Sequence, residues 1–351
     1  MILVSEYIKL SHGSGGVEMR ELLMRLIVSR VDERLKRYGD GVGLDVLDDG
    51  AAIRIGDKYI VFSTDSYTVK PIVFPGGDIG VLAASGSIND VLMMGAKPIV
   101  LMDSIVVEEG FPMDLLERII NSFLRIIHEE NIALVGGDLK VMPRGEIDEI
   151  IINTVAIGLA EKLIIDKPRP GDKILVTDYV GDHGAVIMLF RMGVADKVDV
   201  FNKGLLKSDV KPLTKLMIPL IDKYIDYIHA ARDPTRGGLA GVLNEWIQGT
   251  KHMILLDEEE IPVREPVKRY SEMLGIDPLY LASEGVAVLS VDPSVADEII
   301  DFIKRLGFVN ARVIGEVRET ERNRGRVIMR TSIGGLRIVD PPRGEIVPRI
   351  C

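Results

Sequence analysis

The sequence predicts a protein that mixes helices with strands, in two domains followed by a tail. The chain has 351 residues, 47% of them hydrophobic, which is enough for two well-filled cores. Residues 167–171, Lys-Pro-Arg-Pro-Gly, have the composition of a linker. We therefore expect a glycine-rich N-terminal segment at 1–40, domains at 41–166 and 172–340, and a mobile, proline-rich tail at 341–351.

The composition indicates a soluble, cytoplasmic protein. Lys and Arg total 43 and Asp and Glu total 53, which gives a formal charge of −10. An acidic chain repels phosphodiester backbones, so we expect no nucleic-acid partner. We find no signal-peptide pattern and no long uncharged apolar run, so we expect no membrane span. The single cysteine excludes an internal disulfide and fits a reducing compartment.

Periodicity and turn residues predict the elements of the first domain. The glycine-rich stretch His12–Gly16 precedes a helical spacing of apolar residues from Leu22 to Leu35. Two apolar runs around Gly56-Asp57 predict a hairpin. The further elements are a helix from near Asp78 to Met94 that Gly95 closes, a strand at 98–107, a helix at 115–130, a short strand at 132–135 and a strand at 150–159.

The pattern of helices and strands restarts after the linker. A strand is expected at 173–177, and a helix after the motif Gly181-Asp182-His183-Gly184. The later elements are a turn at 233–238 that leads into a helix through Trp246, a strand at 286–291, a helix at 296–306 and one or two closing strands within 327–339.

The hairpin brings acidic residues together. If Gly56-Asp57 is the loop, Ala51 pairs with Phe62, and the same register places Asp48 opposite Asp65. Asp48, Asp49 and Asp65 then meet at the open end, where like charges repel one another unless a divalent cation lies between them. The alternative is that these carboxylates splay into water.

The helix that ends at Gly95 carries a further acid. Asp90 shares a face with small residues, Ala83, Gly86 and Ser87, so a ligand could approach the backbone there. Asn89 beside it offers an amide to a ligand. An ordinary polar helix face is the alternative interpretation.

A second glycine-rich turn is predicted at Gly136-Gly137-Asp138, after the short strand. Glycines permit the close approach of a phosphate, and ligands favour the carboxyl ends of strands. Lys140 could then meet a phosphate or a polarised carbonyl. A plain turn between a strand and a loop is the alternative.

The acids and glycine loops together favour an ATP–Mg²⁺ site of a less familiar kind. The sequence has no Gly-x-x-x-x-Gly-Lys-Ser/Thr motif, and no Gly-x-Gly-x-x-Gly follows a strand. The five histidines are scattered without zinc spacing.

The only thiol, Cys351, lies at the final position of the tail. A thiol on an arm that could extend roughly 35 Å is able to accept a group at one site and deliver it to another. An exposed free thiol is a liability that proteins usually avoid. A surface accident is the alternative.

These residues resemble the HypE family of hydrogenase maturation proteins, over nearly the whole chain. That family belongs with the phosphoribosyl-aminoimidazole synthetases, selenophosphate synthetases and thiamine monophosphate kinases. The final residues Pro348-Arg349-Ile350-Cys351 are the most specific match, because the sister families lack them. Leu139 departs from the family, in which we would expect Thr. The other matching blocks are His12–Gly16, Asp48–Ala51, Ser63–Ser66, Asn89–Ala96, Gly136–Lys140, Gly181–Gly184, Asp233–Gly238 and Ser283–Gly285.

The resemblance implies an α+β, aminoimidazole ribonucleotide synthetase-like fold of two domains, with a mixed sheet in the first, which forms a homodimer. It implies an enzyme, a carbamoyl dehydratase: the carbamoyltransferase HypF loads a carbamoyl group on the Cys351 sulfur, and ATP phosphorylates the carboxamide oxygen. Loss of phosphate leaves a thiocyanate, whose cyanide passes to iron on a HypC–HypD complex, for NiFe hydrogenase.

Site residues follow from the patterns and the resemblance together. Cys351 carries the substrate group, Lys140 assists, and Glu284 is the candidate base, with a purely structural carboxylate as its alternative. We expect ATP at Gly13, Ser14, Gly15, Gly16, Asn89, Gly136, Gly137 and Lys140, and Mg²⁺ at Asp48, Asp49, Asp65, Asp90 and Asp138.

Two other hypotheses stay open from the sequence. A sister enzyme of the same group could act on a diffusible substrate, although the N-terminal loop holds Ser14 where selenophosphate synthetases place a Cys or selenocysteine. A non-enzymatic thiol carrier or scaffold would lack ATP chemistry altogether.

Overall fold

The structure, a computed structural model, describes residues 7–320, 325–344 and 350–351. Pro348 and Arg349 of the tail motif lie outside these residues. The described helices are α1 (Val17–Leu23), α2 (Ile79–Met93), α3 (Met113–Glu130), α4 (Asp182–Arg191), α5 (Thr214–Tyr224), α6 (Gly238–Ile247), α7 (Glu265–Leu274) and α8 (Ala296–Arg305). The strands are β1 (Ala51–Ile55), β2 (Lys58–Tyr67), β3 (Val73–Phe74), β4 (Gly77–Asp78), β5 (Lys97–Glu108), β6 (Ala133–Met142), β7 (Ile150–Ala160), β8 (Lys173–Val176), β9 (Ile228–Arg232), β10 (His252–Asp257), β11 (Val288–Val291), β12 (Arg312–Glu319), β13 (Arg326–Arg330) and β14 (Leu336–Val339).

Two mixed sheets organise the chain, as the prediction of an α+β fold requires. The first has the strand order β1-β2-β7-β5-β6; helix α2 packs against it, and α3 packs against α2. The second has seven strands in the order β14-β13-β10-β12-β8-β11-β9. Short strands β3 and β4 form a separate ribbon just before α2. Among the described residues no helix is long and apolar enough to cross a lipid bilayer.

The predicted hairpin is confirmed in its register. Ala51 pairs with Phe62 and Ile55 with Lys58 around the turn. The ladder begins only at Ala51, however, so the expected pairing of Asp48 with Asp65 is wrong: Asp65 lies opposite Thr154 of β7 instead. A two-residue loop fixes the register near the turn, but β1 pairs only with residues 58–62 of β2, whereas β7 pairs with residues 59–67.

Helix α2 is the central buried element of the first half. Asp78 caps its first turn, because the Asp78 Oδ1 accepts hydrogen bonds from the backbone N–H of Gly80 and Val81, each at 3.0 Å. Gly95, at a φ of 80°, ends it as predicted. Every residue of α2 except Asp90 is buried, so the surrounding packing fixes the direction of the Asp90 side chain.

Strand β6 corrects the prediction of a short strand at 132–135. It runs from Ala133 through the two glycines to Met142, hydrogen-bonded in parallel to β5. Gly136 and Gly137 therefore lie within a strand rather than in a turn. Glycine does not force a turn where a neighbouring strand continues to offer hydrogen-bonding partners.

The N-terminal helical pattern is also shorter than predicted. Helix α1 ends at Leu23, and a π-helical turn at Met24–Val28 follows it. Leu26 and Ile27 are exposed on this turn, so their spacing reflects an apolar surface rather than a core-facing helix.

The cap of α2 gives a stability test. Replacing Asp78 by Ala removes the acceptor for two buried N–H groups, and we expect the free energy of unfolding to fall by about 2 kcal/mol. Asp78→Asn should lose less, since its amide oxygen can still cap the helix. Denaturant unfolding of both variants measures the effect, with the exposed Asp114→Ala of α3 as control. An Asp78→Ala variant as stable as Asp114→Ala would contradict this role.

Candidate functional site

A cavity of about 330 Å³ lies where the two halves of the chain meet. Residues of the first half, including Asp49 and Asp90, line one side, and Asp233, Arg236 and residues near them line the other. Cys351 also lines the cavity. The site is therefore assembled by packing between segments that are far apart in the sequence.

Three aspartates form the centre of this cavity. Asp49, Asp90 and Asp233 each place a carboxylate oxygen within 4.8 Å of the others. Asp49 comes from the loop before β1, Asp90 from α2, and Asp233 from the residue after β9. A different element therefore holds each acid, and movement of one loop alone would not separate all three carboxylates.

Burial and mutual repulsion raise the pKa values of these acids. Burial raises the pKa of Asp90 well above its ordinary value, and the charges of Asp65, Asp233 and Asp49 raise it further. Burial likewise raises the pKa of Asp233 to about 7. Ser63 offsets part of the effect, since its hydroxyl donates to Asp90 Oδ2 at 2.6 Å.

The cluster has the properties of a site for a hard divalent cation. Asp49 Oδ2 and Asp233 Oδ2 are buried and have no hydrogen-bond partner among the residues that the structure describes. Such oxygens are uncommon in proteins unless a ligand satisfies them. Clustered carboxylate oxygens are the donors that Mg²⁺ prefers, together with the phosphates of a nucleotide. The residues present therefore fit the predicted metal.

Arg232 holds the acidic side of the cavity together. Its guanidinium forms ion pairs with Asp49 at 3.1 Å, with Asp166 at 2.6 Å and with Glu245 at 2.9 Å. It also donates to the Leu47 carbonyl at 2.9 Å. Because Arg232 precedes Asp233 in the chain, it links the loop before β1 to the part of the cluster that the second half supplies.

Cys351 is fixed inside the cavity rather than at the surface. Its backbone oxygen accepts hydrogen bonds from the Thr68 backbone N–H at 3.0 Å and from the Thr68 hydroxyl at 3.2 Å. Burial raises the pKa of the thiol to about 12, although the Arg236 guanidinium favours the thiolate. The docked sulfur is thus a thiol at neutral pH.

Glu284 lies beside this thiol and is almost completely buried. Its Oε1 has no hydrogen-bond partner within the described part of the chain. Burial raises the pKa of its carboxyl well above the ordinary range, and Asp233 and Asp209 raise it further. A cation bound at the aspartate cluster would offset that repulsion and leave a carboxylate of unusual basicity.

The structure brings most of the predicted site residues together. Of the predicted site residues, those that line the cavity are Gly15, Gly16, Asp48, Asp49, Asp65, Asp90, Glu284 and Cys351. Asp48 is engaged within the protein, because its carboxylate accepts from the backbone N–H of Asp49 and Asp166. The space beside the small residues of α2 is occupied by Tyr67, since a Cβ at Gly86 would lie 2.1 Å from its hydroxyl.

Asn89 and the N-terminal residues Gly13 and Ser14 are placed beside the cavity. The Asn89 amide donates to the carbonyls of Lys211 and Glu284, and its oxygen accepts from the Leu213 N–H at 2.8 Å. Asn89 is fully buried, and its amide holds the backbone carbonyl of Glu284 in place. The Ser14 hydroxyl donates to the Gly344 carbonyl at 3.1 Å, which ties the glycine loop to the tail.

Gly136, Gly137, Asp138 and Lys140 lie away from the cavity, on edge strand β6. The register runs from Asp65 across Thr154 and Asp103 to Gly137, a separation of three strands, or roughly 14 Å. Asp138 and Lys140 are exposed and pair with each other at 3.1 Å. Within one chain these residues do not join the aspartate cluster.

Sequence reasoning missed Arg232, Asp233 and Arg236 as site residues. Asp233 and Arg236 belong to a block that matched the family. The signal available was an acid directly after an apolar strand, the same signal that drew attention to Asp138. What the sequence does not show is that this strand end faces the loop before β1.

Comparisons with known proteins identify the family of the chain. Residues 47–160 match the model for the N-terminal domain of AIR synthase related proteins, and residues 169–328 match the C-terminal domain. A putative hydrogenase expression/formation protein of Methanocaldococcus jannaschii is 41% identical over 97% of this chain and 98% of its own length. Carbamoyl dehydratase HypE of Escherichia coli is 37% identical, over 98% of this chain and 99% of the relative.

Solved structures show the same relationship. A HypE–HypF complex superposes with a TM-score of 0.81 at 36% identity, covering 92% of this chain and 99% of the other. A HypE structure in complex with ATP has a TM-score of 0.76 at 36% identity, covering 98% of this chain and 100% of the other. The chain therefore belongs to the HypE family of carbamoyl dehydratases, within the AIR synthase related proteins.

Proposed function

We propose that this protein dehydrates a carbamoyl group on the Cys351 sulfur to a thiocyanate at the expense of ATP, and so supplies cyanide ligands for the iron of NiFe hydrogenase. One observation carries the proposal: the only sulfhydryl of the chain is docked in the cavity that holds the aspartate cluster. The HypE relatives named as carbamoyl dehydratases and the HypE structure with ATP support it.

The glycine loop lines the cavity and packs closely against the second half of the chain. Gly15 has a φ of +71°, and a Cβ there would lie 2.2 Å from the Cβ of Arg236, so no other residue fits. A second cavity of about 330 Å³ adjoins the first and shares Gly16, Arg20, Gly241 and Glu245 with it. We assign the nucleoside to this second cavity and the phosphates to the first.

Asp49, Asp90 and Asp233 would hold the Mg²⁺, with Asp65 nearby. When bound, the cation neutralises charge on the phosphoryl oxygens of ATP. Asp48 positions Asp49 and Asp166 through their backbone N–H groups and is a supporting residue rather than a ligand.

The residues of the chain supply the remaining steps. The carboxamide oxygen of carbamoylated Cys351 attacks the γ-phosphorus, and ADP leaves. The C–O bond then breaks, a C≡N bond forms, and the phosphate leaves with one of the two amide protons as hydrogen phosphate, so the other amide proton needs a base. Glu284 accepts a proton, and Arg236 stabilises negative charge beside the sulfur.

We propose HypF as the carbamoyl donor and a HypC–HypD complex as the acceptor of cyanide. A HypE–HypF complex has been solved for a protein that is 36% identical to this chain. We place these reactions in the cytoplasm, where HypF and hydrogenase apoproteins would meet this chain.

We also propose a homodimer that uses β6. This edge strand exposes Val135, Leu139 and Val141, which is an apolar surface suited to a second copy of the sheet. Since Asp138 and Lys140 are remote from the cavity of their own chain, they could act on ATP only across such an interface.

Intact-mass analysis tests the proposed function. After incubation with HypF, carbamoyl phosphate and ATP, we expect Cys351 to gain one carbamoyl group, and then to lose one water in a step that requires ATP. Cys351→Ser should show neither change, because a serine hydroxyl is a much weaker nucleophile than a thiol and the chain has no other cysteine. ATP hydrolysis by the carbamoylated protein without loss of water would contradict the proposal and favour a diffusible substrate.

The aspartate cluster predicts how Mg²⁺ and pH act together on stability. The folded chain holds a proton on Asp233 up to about pH 7, and burial also raises the pKa values of Asp49 and Asp90. The unfolded chain releases these protons near pH 4. Without Mg²⁺, stability therefore falls as the pH rises between these values. Mg²⁺ replaces the protons, so it should raise the Tm by at least about 2 °C more at pH 8 than at pH 5.

Thermal unfolding with and without MgCl₂ measures this difference. In Asp233→Asn the extra stabilisation at pH 8 should be lost, and the exposed Asp114→Asn should retain it. An equal Mg²⁺ effect at both pH values in the unmodified protein would exclude the cluster as the Mg²⁺ site.

Glu284→Gln tests the proposed base. The amide cannot accept a proton, so the single-turnover loss of water from carbamoylated Cys351 should slow by roughly 100-fold or more. ATP affinity, measured by calorimetry, should stay within about twofold, because uncharged Gln keeps the side-chain volume. The exposed Glu259→Gln is the matched control. Normal dehydration by Glu284→Gln would leave this carboxyl with a structural role only.

A further inference from the structure

The motif Gly181-Asp182-His183-Gly184 has no role in the chemistry above, yet its histidine touches the segment that carries Cys351. His183 is fully buried at the start of α4. Its Nε2 lies 2.7 Å from the Ile350 carbonyl oxygen, and its Nδ1 lies 2.8 Å from the Ser208 hydroxyl. A buried side chain of the second half thus binds the backbone one residue before the substrate-bearing cysteine.

The chemistry of the partners determines which ring nitrogen carries the proton. A carbonyl oxygen can only accept, so His183 Nε2 donates to Ile350. His183 Nδ1 must then accept from the Ser208 hydroxyl, whose oxygen accepts from the Val210 N–H at 3.1 Å. Burial lowers the pKa of His183 to about 4, so the ring is neutral at physiological pH and this tautomer persists.

Packing keeps the ring in place for this single hydrogen bond. His183 meets the Phe74 ring edge to face, with centroids 5.3 Å apart. A ring held by Phe74 and by Ser208 has little freedom to turn away from the Ile350 carbonyl. The donor is therefore preorganised, and little rotamer entropy is lost when the segment docks.

Two successive backbone carbonyls of the segment are bound by different elements. His183 binds that of Ile350, and Thr68 binds that of Cys351 through its N–H and its hydroxyl. The Ile350 side chain is 7% exposed and belongs to the main hydrophobic core. Together these contacts fix the direction in which the Cys351 side chain leaves the backbone.

We propose that His183 is a positioning residue, which holds Cys351 in the cavity and thereby sets the balance between reaction there and release of the thiol to an external donor. The role in release of the thiol to an external donor rests on the proposed function. A carbamoyltransferase cannot place its own site inside a cavity of about 330 Å³ lined by another protein. The sulfur must leave the cavity to be loaded and return to it to be dehydrated.

Alkylation of the thiol tests whether His183 holds Cys351 in the cavity, and it needs neither ATP nor a carbamoyl donor. Cys351 is the only cysteine, so the rate of its reaction with iodoacetamide reports how often the segment leaves the cavity. His183→Phe keeps an aromatic ring but cannot donate to the Ile350 carbonyl. We expect the alkylation rate to rise about threefold to tenfold, the size of one neutral hydrogen bond.

Three variants distinguish this role from general damage to the fold. His183→Gln places an amide N–H near the position of Nε2 and should restore slow alkylation. His128→Phe, at an exposed position of α3, should alkylate like the unmodified protein. Ser208→Ala, which leaves Nδ1 without its donor, should raise the rate in the presence of His183 and have no further effect in His183→Phe.

The rates of the two half-reactions give the second readout: dehydration should slow, and loading should not. In His183→Phe, loading by the carbamoyltransferase should be as fast as in the unmodified protein or faster, and dehydration should slow by about threefold to tenfold. Unchanged alkylation in both His183→Phe and Ser208→Ala would overturn the proposal, as would equal slowing of loading and dehydration. If the alkylation results hold but no dehydration occurs in any form of the protein, the proposed function fails and the docking role stands.

Discussion

The structure depends on holding several mutually repelling carboxylates together in one cavity. Asp49, Asp90 and Asp233 place their oxygens within 4.8 Å of one another, in a cavity where burial makes each negative charge costly. The fold offsets part of this cost with Arg232, which pairs with Asp49 and Asp166, and the proposed Mg²⁺ would offset the remainder. Sites that perform chemistry commonly carry such local destabilisation, and the surrounding packing sustains it.

This constraint explains why both halves of the chain are needed. Asp49 and Asp90 come from the first half, and Asp233 comes from the second. Asn89, one residue before the acid of α2, binds the Lys211 carbonyl and the Leu213 N–H of the second half. The same helix thus presents an acid to the cavity and an amide to the opposite domain, so the position of Asp90 is tied to the position of Glu284.

The sequence predicted correctly those elements whose geometry depends on residues close together in the chain. The two-residue turn fixed the hairpin register, and a glycine in the left-handed region ended the helix that carries Asp90. The acids near these elements could therefore be assigned to one site from the sequence. The lone cysteine and the family blocks pointed to the function of the same site.

Other features depend on contacts between distant segments and were not predictable. Arg232 and Asp233 join the site only because β9 ends opposite the loop before β1. The glycines of β6 indicated a turn, but the parallel pairing with β5 carries the strand through them. Asn89 seemed free to contact a ligand, whereas the opposite domain occupies all its polar atoms.

The docking of Cys351 has a consequence for the kinetics of the proposed pathway. A substrate group that is bound covalently to its own catalyst is present at a fixed local concentration, whatever the amount of protein in the cell. The dehydration is then a first-order process without a Michaelis constant for the carbamoyl group, and each chain produces one cyanide per visit of its sulfur to the cavity. Control of the flux must rest with the encounters that load and unload that sulfur, so dilution would limit the exchange between proteins and leave the chemical step untouched.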